Sequence, residues 1–213
     1  MTPRIVILSA PSGGGKTTIS EALRARRTDV GYSVSATTRS PRPGEVDGRA
    51  YHFVTRPEFD RMIAAGEFLE WAEYAGNRYG TLKREVDAIL KAGKHVLLDI
   101  EVQGADQVWK KSTDHRPIRI FILPPSGNGW MARLKGRETE SPESLARRAR
   151  WAIKEIQQAG DWEHIIINDD LDRAVAEVNQ IIDDGGAKRH RPSTEGLKRL
   201  VEDMMDEATR TQS

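Results

Sequence analysis

An apolar run, Ile5-Val6-Ile7-Leu8, breaks into Ala10-Pro11-Ser12-Gly13-Gly14-Gly15-Lys16-Thr17-Thr18, and helical periodicity begins directly afterwards. A buried strand, a Gly-rich turn and a helix start in that order aim successive backbone N–H groups and the positive end of the helix at one point, where polyphosphate can sit. Gly13, Gly14 and Gly15 permit the tight path. Lys16 offers a fixed positive charge to the outer phosphates, and the Thr17 hydroxyl is placed to hold a magnesium ion that bridges them. Such loops usually begin with Gly. This one begins with Ala10, so its first turn must avoid a positive φ.

A strand that feeds such a loop belongs in a parallel sheet, and the rest of the chain agrees. Apolar runs recur at Ile5–Leu8, His95–Ile100, Ile118–Leu123 and Ile165–Ile167, with helical patterns near 16–26, 83–92, 102–111 and 170–184. Short β-rich runs with little internal alternation are what a sheet covered on both faces by crossover helices requires. The expected fold class is α/β, a three-layer α/β/α core with a parallel sheet. Two stretches break the rhythm. From Gly31 to Thr81 the pattern turns to short strands, Tyr32–Thr38 and Tyr51–Val54, with one helix near Pro57–Ala65, which reads as an inserted β-rich lobe. From Ser126 to Gly160 the chain is helical and arginine-rich, with Ser141-Pro142 as a start signal, and reads as a mobile lid. The expected division is a core of 1–34, 82–125 and 161–190, a lobe of 35–81, a lid of 126–160 and a C-terminal helical extension of 191–213.

Composition narrows the partners. Over 213 residues, Lys plus Arg number 33 against 32 for Asp plus Glu, so net charge gives no general argument for nucleic acid or a membrane surface. The chain has no cysteine, which excludes disulfides and thiolate zinc sites and suits a reducing cytoplasm. His52, His95, His115, His164 and His190 lack metal-ligand spacing. No apolar run approaches the ~20 residues needed to cross a bilayer. A cytoplasmic chain is expected, with no nucleic acid and no membrane among its partners, and either monomeric or homo-oligomeric.

The lobe carries a second signal. Ser35-Ala36-Thr37-Thr38-Arg39-Ser40-Pro41-Arg42-Pro43-Gly44-Glu45-Val46-Asp47-Gly48-Arg49-Ala50-Tyr51 sets Arg39 and Arg42 in a proline-stiffened turn with a tyrosine shortly after. Planar guanidinium forks give bidentate bonds to phosphate oxygens, and a tyrosine hydroxyl adds a neutral donor. Two arginines that merely solvate an exposed turn are the alternative reading of that pair alone. Taken with the loop around Lys16, the turn makes two phosphate sites, hence a donor and an acceptor.

Here the chain resembles the guanylate kinases. The shared features are the loop at 10–17, the segment Thr37 to Tyr51, and Phe68-Leu69-Glu70-Trp71 followed by Gly76-Asn77-Arg78-Tyr79-Gly80-Thr81. Leu98-Asp99-Ile100-Glu101-Val102-Gln103-Gly104, Pro124-Pro125-Ser126, Arg133-Leu134 and Asn168-Asp169-Asp170 complete it, so that roughly residues 3–184 are covered. The resemblance implies reversible, magnesium-dependent transfer of the ATP γ-phosphoryl group to GMP or dGMP. The P-loop core would bind ATP through Ala10, Pro11, Ser12, Gly13, Gly14, Gly15, Lys16, Thr17 and Thr18, with Arg133 and Asn168. The lobe would bind GMP, its phosphate at Arg39, Arg42, Tyr51 and Tyr79 and its base at Ser35, Glu70, Thr81 and Glu101. Lys16, Arg39, Arg137 and Arg148 would act on the transferring group, and the metal would be held by Thr17 and, through water, by Asp99. Asn168 at the end of its apolar run reads equally well as a cap for the following helix.

The base assignment also makes chemical sense. Guanine presents N–H donors at N1 and N2, which a carboxylate accepts, whereas adenine presents a bare acceptor at N1, which a carboxylate repels; Glu70 and Glu101 therefore favour guanine. A glutamate beside Trp71 on an edge strand could equally face solvent. No general base is evident, and none is needed, because a monophosphate is largely ionised near neutral pH.

Two departures from the family pattern stand out. Arg137-Glu138-Thr139-Glu140-Ser141 places Glu138 where Gly is usual, beside an arginine that the resemblance makes catalytic. The tail adds a helix whose Leu197, Leu200, Val201 and Met204 form one stripe; docking on the chain's own core is the preferred reading and a subunit contact the other. Two rival functions stay open at this point. Guanylate-kinase-like domains also serve as peptide-binding scaffolds. A kinase for a sugar phosphate such as a ribose bisphosphate would keep the loop, but would not need the Arg39 turn and Glu70 together.

Overall fold

The computed structural model describes residues 2–74, 76–112, 116–136 and 142–210, with the backbone alone at 74 and 142–147. Five strands hydrogen-bond in the order β2-β7-β1-β8-β9: β1 is Ile5–Ser9, β2 Val30–Tyr32, β7 His95–Asp99, β8 Ile118–Leu123 and β9 His164–Ile167. The β2/β7 and β8/β9 pairs are parallel. β8 is buried along its whole length, as a central strand covered on both faces must be. Contacts divide the chain into two units, Met1–Ile7 with Arg27–Pro117, and Leu8–Arg26 with Ile118–Ser213.

In the first unit a second sheet runs β4-β3-β6-β5, where β3 is Ala36–Thr37, β4 His52–Phe53, β5 Phe68–Tyr74 and β6 Asn77–Leu82. The single strand expected over Tyr32–Thr38 is divided between the two sheets: β2 pairs with β7, and the chain then turns away to form β3. The longest strands of the lobe, the antiparallel pair β5 and β6, carry no apolar alternation to announce them. Their pairing is fixed by what lies beneath. Helix α2, Arg56–Ala64, starts where the Thr55 hydroxyl accepts the Glu58 N–H, and it sends Phe59 and Met62 under the sheet. Phe59 stacks on Phe68 at 4.4 Å between ring centroids, with Ala36 and Leu82 in the same cluster. Helices α3, Lys83–Lys91, and α4, Val102–Lys111, flank β7 in the chain, and α4 packs on β5.

In the second unit α1, Lys16–Arg26, packs on α7, Leu171–Asp183, which packs on β9. The arginine-rich stretch forms α5, Gly127–Lys135, and α6, Pro142–Gln157. The tail helix α8, Thr194–Arg210, docks within the chain on α5 and α6, the stretch expected to be a lid. Of the expected stripe it buries Leu197 and Met204, leaves Leu200 and Val201 half-buried, and adds Ala208. The approach is close enough that a Cβ at Gly127 would lie 2.5 Å from the Asp203 carbonyl oxygen. The Asp203 carboxylate accepts the Gly127 N–H at 2.6 Å and so caps α5 with a negative charge. Along β9, the Ile165 N–H donates to the His190 carbonyl at 2.7 Å, so the residues before α8 cover a strand edge.

Candidate active site

The last residues of β1, with which the second unit begins, deliver the chain into the glycine-rich turn with Ala10 and Pro11 buried. The Gly14 N–H closes the turn on the Pro11 carbonyl at 2.8 Å. Positive φ is required at Gly13 (83°) and Gly15 (93°). The methyl group of Ala10 is accommodated because its neighbour has none: a Cβ at Gly14 would lie 2.9 Å from that of Ala10. Helix α1 opens at Lys16 with no acidic residue in its first turn, so its first N–H groups and dipole form an anion-attracting end. Thr17 and Thr18 are exposed there and Lys16 is half-buried.

Three side chains singled out in the sequence converge on this loop. Arg148, buried, donates from Nη2 and Nε to the Ser12 hydroxyl at 2.9 and 3.2 Å and from Nη1 to the Leu134 carbonyl at 3.3 Å. Asn168, also buried, donates its side-chain N–H to the Gly14 carbonyl at 3.1 Å, and any Cβ at Gly15 would overlap that amide. Arg133 reaches the Asn168 carbonyl at 3.5 Å. The helix-cap reading of Asn168 is overturned: α7 is capped by Asp170, whose carboxylate accepts the Arg173 N–H at 2.8 Å. Sequence reasoning missed Trp130, a fully buried indole that donates to the Ser12 carbonyl at 2.7 Å; an apolar helix position gives no signal for such a role. Arg137 and Glu138 lie outside the described residues.

In the first unit the arginine turn is built around a residue the sequence reading passed over. Glu45 accepts from Arg39 Nη2 at 2.8 Å with one oxygen and from the Arg42 backbone N–H at 2.7 Å with the other, while Arg39 Nη1 donates to the Ser40 carbonyl at 2.7 Å. The Arg39 guanidinium thus sits 5.4 Å from the centroid of the Tyr51 ring, and Tyr51 meets Tyr79 edge-on at 5.9 Å. Arg42 is exposed. Thr37 and Thr38 tie the turn to β6: the Thr37 hydroxyl donates to the Arg78 carbonyl and the Thr38 hydroxyl accepts the Arg78 N–H, each at 2.9 Å. The hydrogen bond from Arg39 holds the Glu45 carboxyl below its usual value, and the same bond raises Arg39. Because the folded state keeps Glu45 ionised to lower pH, this pair contributes stability that is complete above pH 4.5 and is lost as pH falls through the lowered value. Glu45→Gln should therefore flatten that part of the acid limb in a plot of Tm against pH while leaving Tm near neutrality lower than in the parent.

Glu70 is only 3% exposed, which overturns the solvent-facing reading despite its place on the edge strand β5. Its Oε1 accepts both the Thr81 N–H at 3.1 Å and the Thr81 hydroxyl at 2.6 Å. Glu101 stands at the N-cap position of α4 without using its side chain as the cap. Ser35 is half-buried, its carbonyl accepting the His52 N–H at 2.9 Å. Asp99 ends β7, half-buried. Among the described residues no cluster of three or more His, Asp or Glu could hold a metal ion. Magnesium asks for less: one or two hard oxygen donors beside phosphate and water, and the Thr17 hydroxyl and Asp99 carboxylate are donors of that kind.

Comparison with known proteins brings these observations together. The sequence model of the guanylate kinase family matches residues 2–185, which leaves α8 outside. The guanylate kinase of Rubrobacter xylanophilus is 45% identical over 179 residues, 84% of this chain and 93% of that protein. That of Dechloromonas aromatica is 46% identical over 182 residues, 85% of this chain and 89% of its own length. The crystal structure of guanylate kinase from Anaplasma phagocytophilum superposes with a TM-score of 0.73 at 30% identity, covering 94% of each chain. Matched in sequence over residues 2–185 and matched in fold, this chain belongs to the guanylate kinase family.

Proposed function

We propose that this enzyme transfers the γ-phosphoryl group of ATP to the 5′-phosphate of GMP, reversibly, giving ADP and GDP. The observation that carries the acceptor assignment is Glu70, a carboxylate buried in the lobe and pinned by Thr81, because a pocket built around such a group accepts the N–H edge of guanine and repels the N1 lone pair of adenine. The loop at 10–18 binds the ATP phosphates through backbone N–H groups, with Lys16 neutralising charge on the outer ones. Asn168 and Trp130 hold that loop in shape through its carbonyls, and Arg148 stands on the Ser12 hydroxyl within the same unit. Arg39, Arg42, Tyr51 and Tyr79 take the acceptor phosphate, with Glu45 fixing the direction of Arg39. Ser35, Thr81 and Glu101 join Glu70 at the base.

Magnesium, held by Thr17 and through water by Asp99, would supply further neutralisation of the transferring group. The acceptor oxygen needs no general base, since the second ionisation of a phosphate monoester lies near pH ~6. Segment 126–160 is read as the lid, with Arg133 and Arg137 acting on the donor phosphates. The same reading takes the enzyme to act in the cytoplasm; no described helix is long and apolar enough to cross a membrane.

A magnesium-dependent coupled assay of ADP release tests this, run in parallel with GMP, dGMP, AMP, UMP, CMP and a ribose bisphosphate. Turnover with the guanine nucleotides is expected. Turnover with the sugar phosphate alone would overturn the acceptor assignment, and no turnover with any acceptor would return the chain to the scaffold reading.

A further inference from the structure

Helix α4 presents Gly104, Gln107 and Lys111 at i, i+3 and i+7, one face of a helix, toward the edge strand β5. The Gln107 side-chain amide donates to the Trp71 carbonyl at 2.6 Å and accepts the Trp71 N–H at 3.4 Å, imitating the two-point pairing of a neighbouring strand. Lys111 donates to the Leu69 carbonyl at 2.8 Å. The backbone on either side of residue 70 is therefore held by α4. At residue 70 itself the helix steps back: a Cβ at Gly104 would overlap Glu70 Oε2 and lie 2.9 Å from its Cδ.

These contacts fall where β5 is least regular. The pairing of β5 with β6 shifts register between Phe68 and Glu70, and a strand that slips by one residue turns every side chain to the opposite face. Bonds at 69 and 71 bracket that irregularity, and the missing side chain at 104 leaves one place for the carboxylate. Thr81 holds Oε1 from the other side. The same helix carries Glu101 at its N-cap, so both carboxylates assigned to guanine are referred to one rigid element.

We infer that Gln107 and Gly104 are positioning residues for base selection, acting through Glu70. The inference rests on the reading that Glu70 contacts guanine. Gln107→Met keeps the unbranched shape and approximate volume but removes both hydrogen bonds to Trp71. GMP and IMP binding would be measured by calorimetry, and KM for GMP and ATP by the coupled assay. IMP is the probe because it lacks only the 2-amino group of the base. The variant is expected to weaken GMP binding about tenfold and to shrink the preference for GMP over IMP, with KM for ATP unchanged within about twofold. Gly104→Ala, whose Cβ would meet Glu70 Oε2 and Cδ and displace the carboxylate, should do the same through a different change. A lowered Tm with the GMP-to-IMP ratio intact in both variants would show that α4 only stabilises the sheet, and would overturn the inference. Glu70→Gln measured alongside separates the two levels. If it lowers that ratio while the α4 variants do not, the positioning role falls and the reading of Glu70 stands. If it leaves both GMP binding and the ratio unchanged, the reading falls and the inference with it.

Discussion

Lys16→Ala is expected to lower kcat for ATP and GMP by about a thousandfold, ~4 kcal/mol of transition-state stabilisation, without unfolding the protein. Phosphoryl transfer gives an enzyme little covalent chemistry to perform, so positioned charge supplies most of the rate. Within the loop the backbone supplies dipoles; the Lys16 ammonium is the full positive charge at the start of α1, a helix with no acid in its first turn to offset it. Lys16 is half-buried and opens the helix, where alanine is at least as good a helix former, so circular dichroism and Tm should stay close to the parent values. GMP binding measured without ATP should be unchanged, since the turn around Arg39 and the Glu70 pocket are built from other residues. Lys16→Arg should not restore the rate, because a planar fork does not replace a compact ammonium. A kcat within tenfold of the parent would mean that this loop does not carry the donor phosphates.

The elements that could be read from the sequence are those whose periodicity is imposed by burial alone. β8 was legible at Ile118–Leu123 to the residue, and α1 at Lys16–Arg26, because one is apolar throughout and the other begins where the glycines end. β5 and β6 were not, since Glu70, Glu73, Arg78 and Thr81 break any alternation; their pairing depends on Phe59 and Phe68 stacking beneath them, a contact between distant residues. The site divides in the same way. Lys16 and Arg39 could be picked out on their chemistry and spacing, and Glu70 only through the family resemblance, because a lone glutamate beside Trp71 reads as readily as a surface residue. Glu45, Trp130, Gly104 and Gln107 could not, because each works by holding another group: Arg39, the Ser12 carbonyl, the Glu70 carboxylate, the Trp71 backbone. A residue type says what a side chain can bond to, while its actual partner is decided by the fold.

Glu70→Gln is expected to raise KM and Kd for GMP by about a hundredfold, with KM for ATP changed less than twofold, and to relax the choice of base. The substitution keeps shape and changes only what the two terminal atoms offer. In the parent, Oε1 accepts two bonds from Thr81, N–H and hydroxyl, and a carboxylate can do this while still presenting acceptors to a base. An amide has one acceptor oxygen. If that oxygen stays with the Thr81 N–H, which has only a proton to offer, the amide NH₂ is turned toward the N1–H and N2–H of guanine, donor against donor. If the amide flips to serve guanine, its NH₂ opposes the Thr81 N–H at a position where Glu70 is 3% exposed and water cannot repair the mismatch. Either orientation loses a charge-assisted hydrogen bond, which is worth ~1.5–3 kcal/mol and sets the hundredfold scale. The first orientation also puts a donor where adenine N1 has its lone pair, so AMP should improve as GMP declines, and the ratio of their kcat/KM values should fall by more than the loss in GMP binding alone. Thr81→Val would remove the hydroxyl partner and keep the N–H, and is expected to shift that ratio in the same direction by a smaller factor. Undiminished preference for GMP in Glu70→Gln would mean that guanine is selected by other groups in the lobe and that Glu70 is buried there for structure alone.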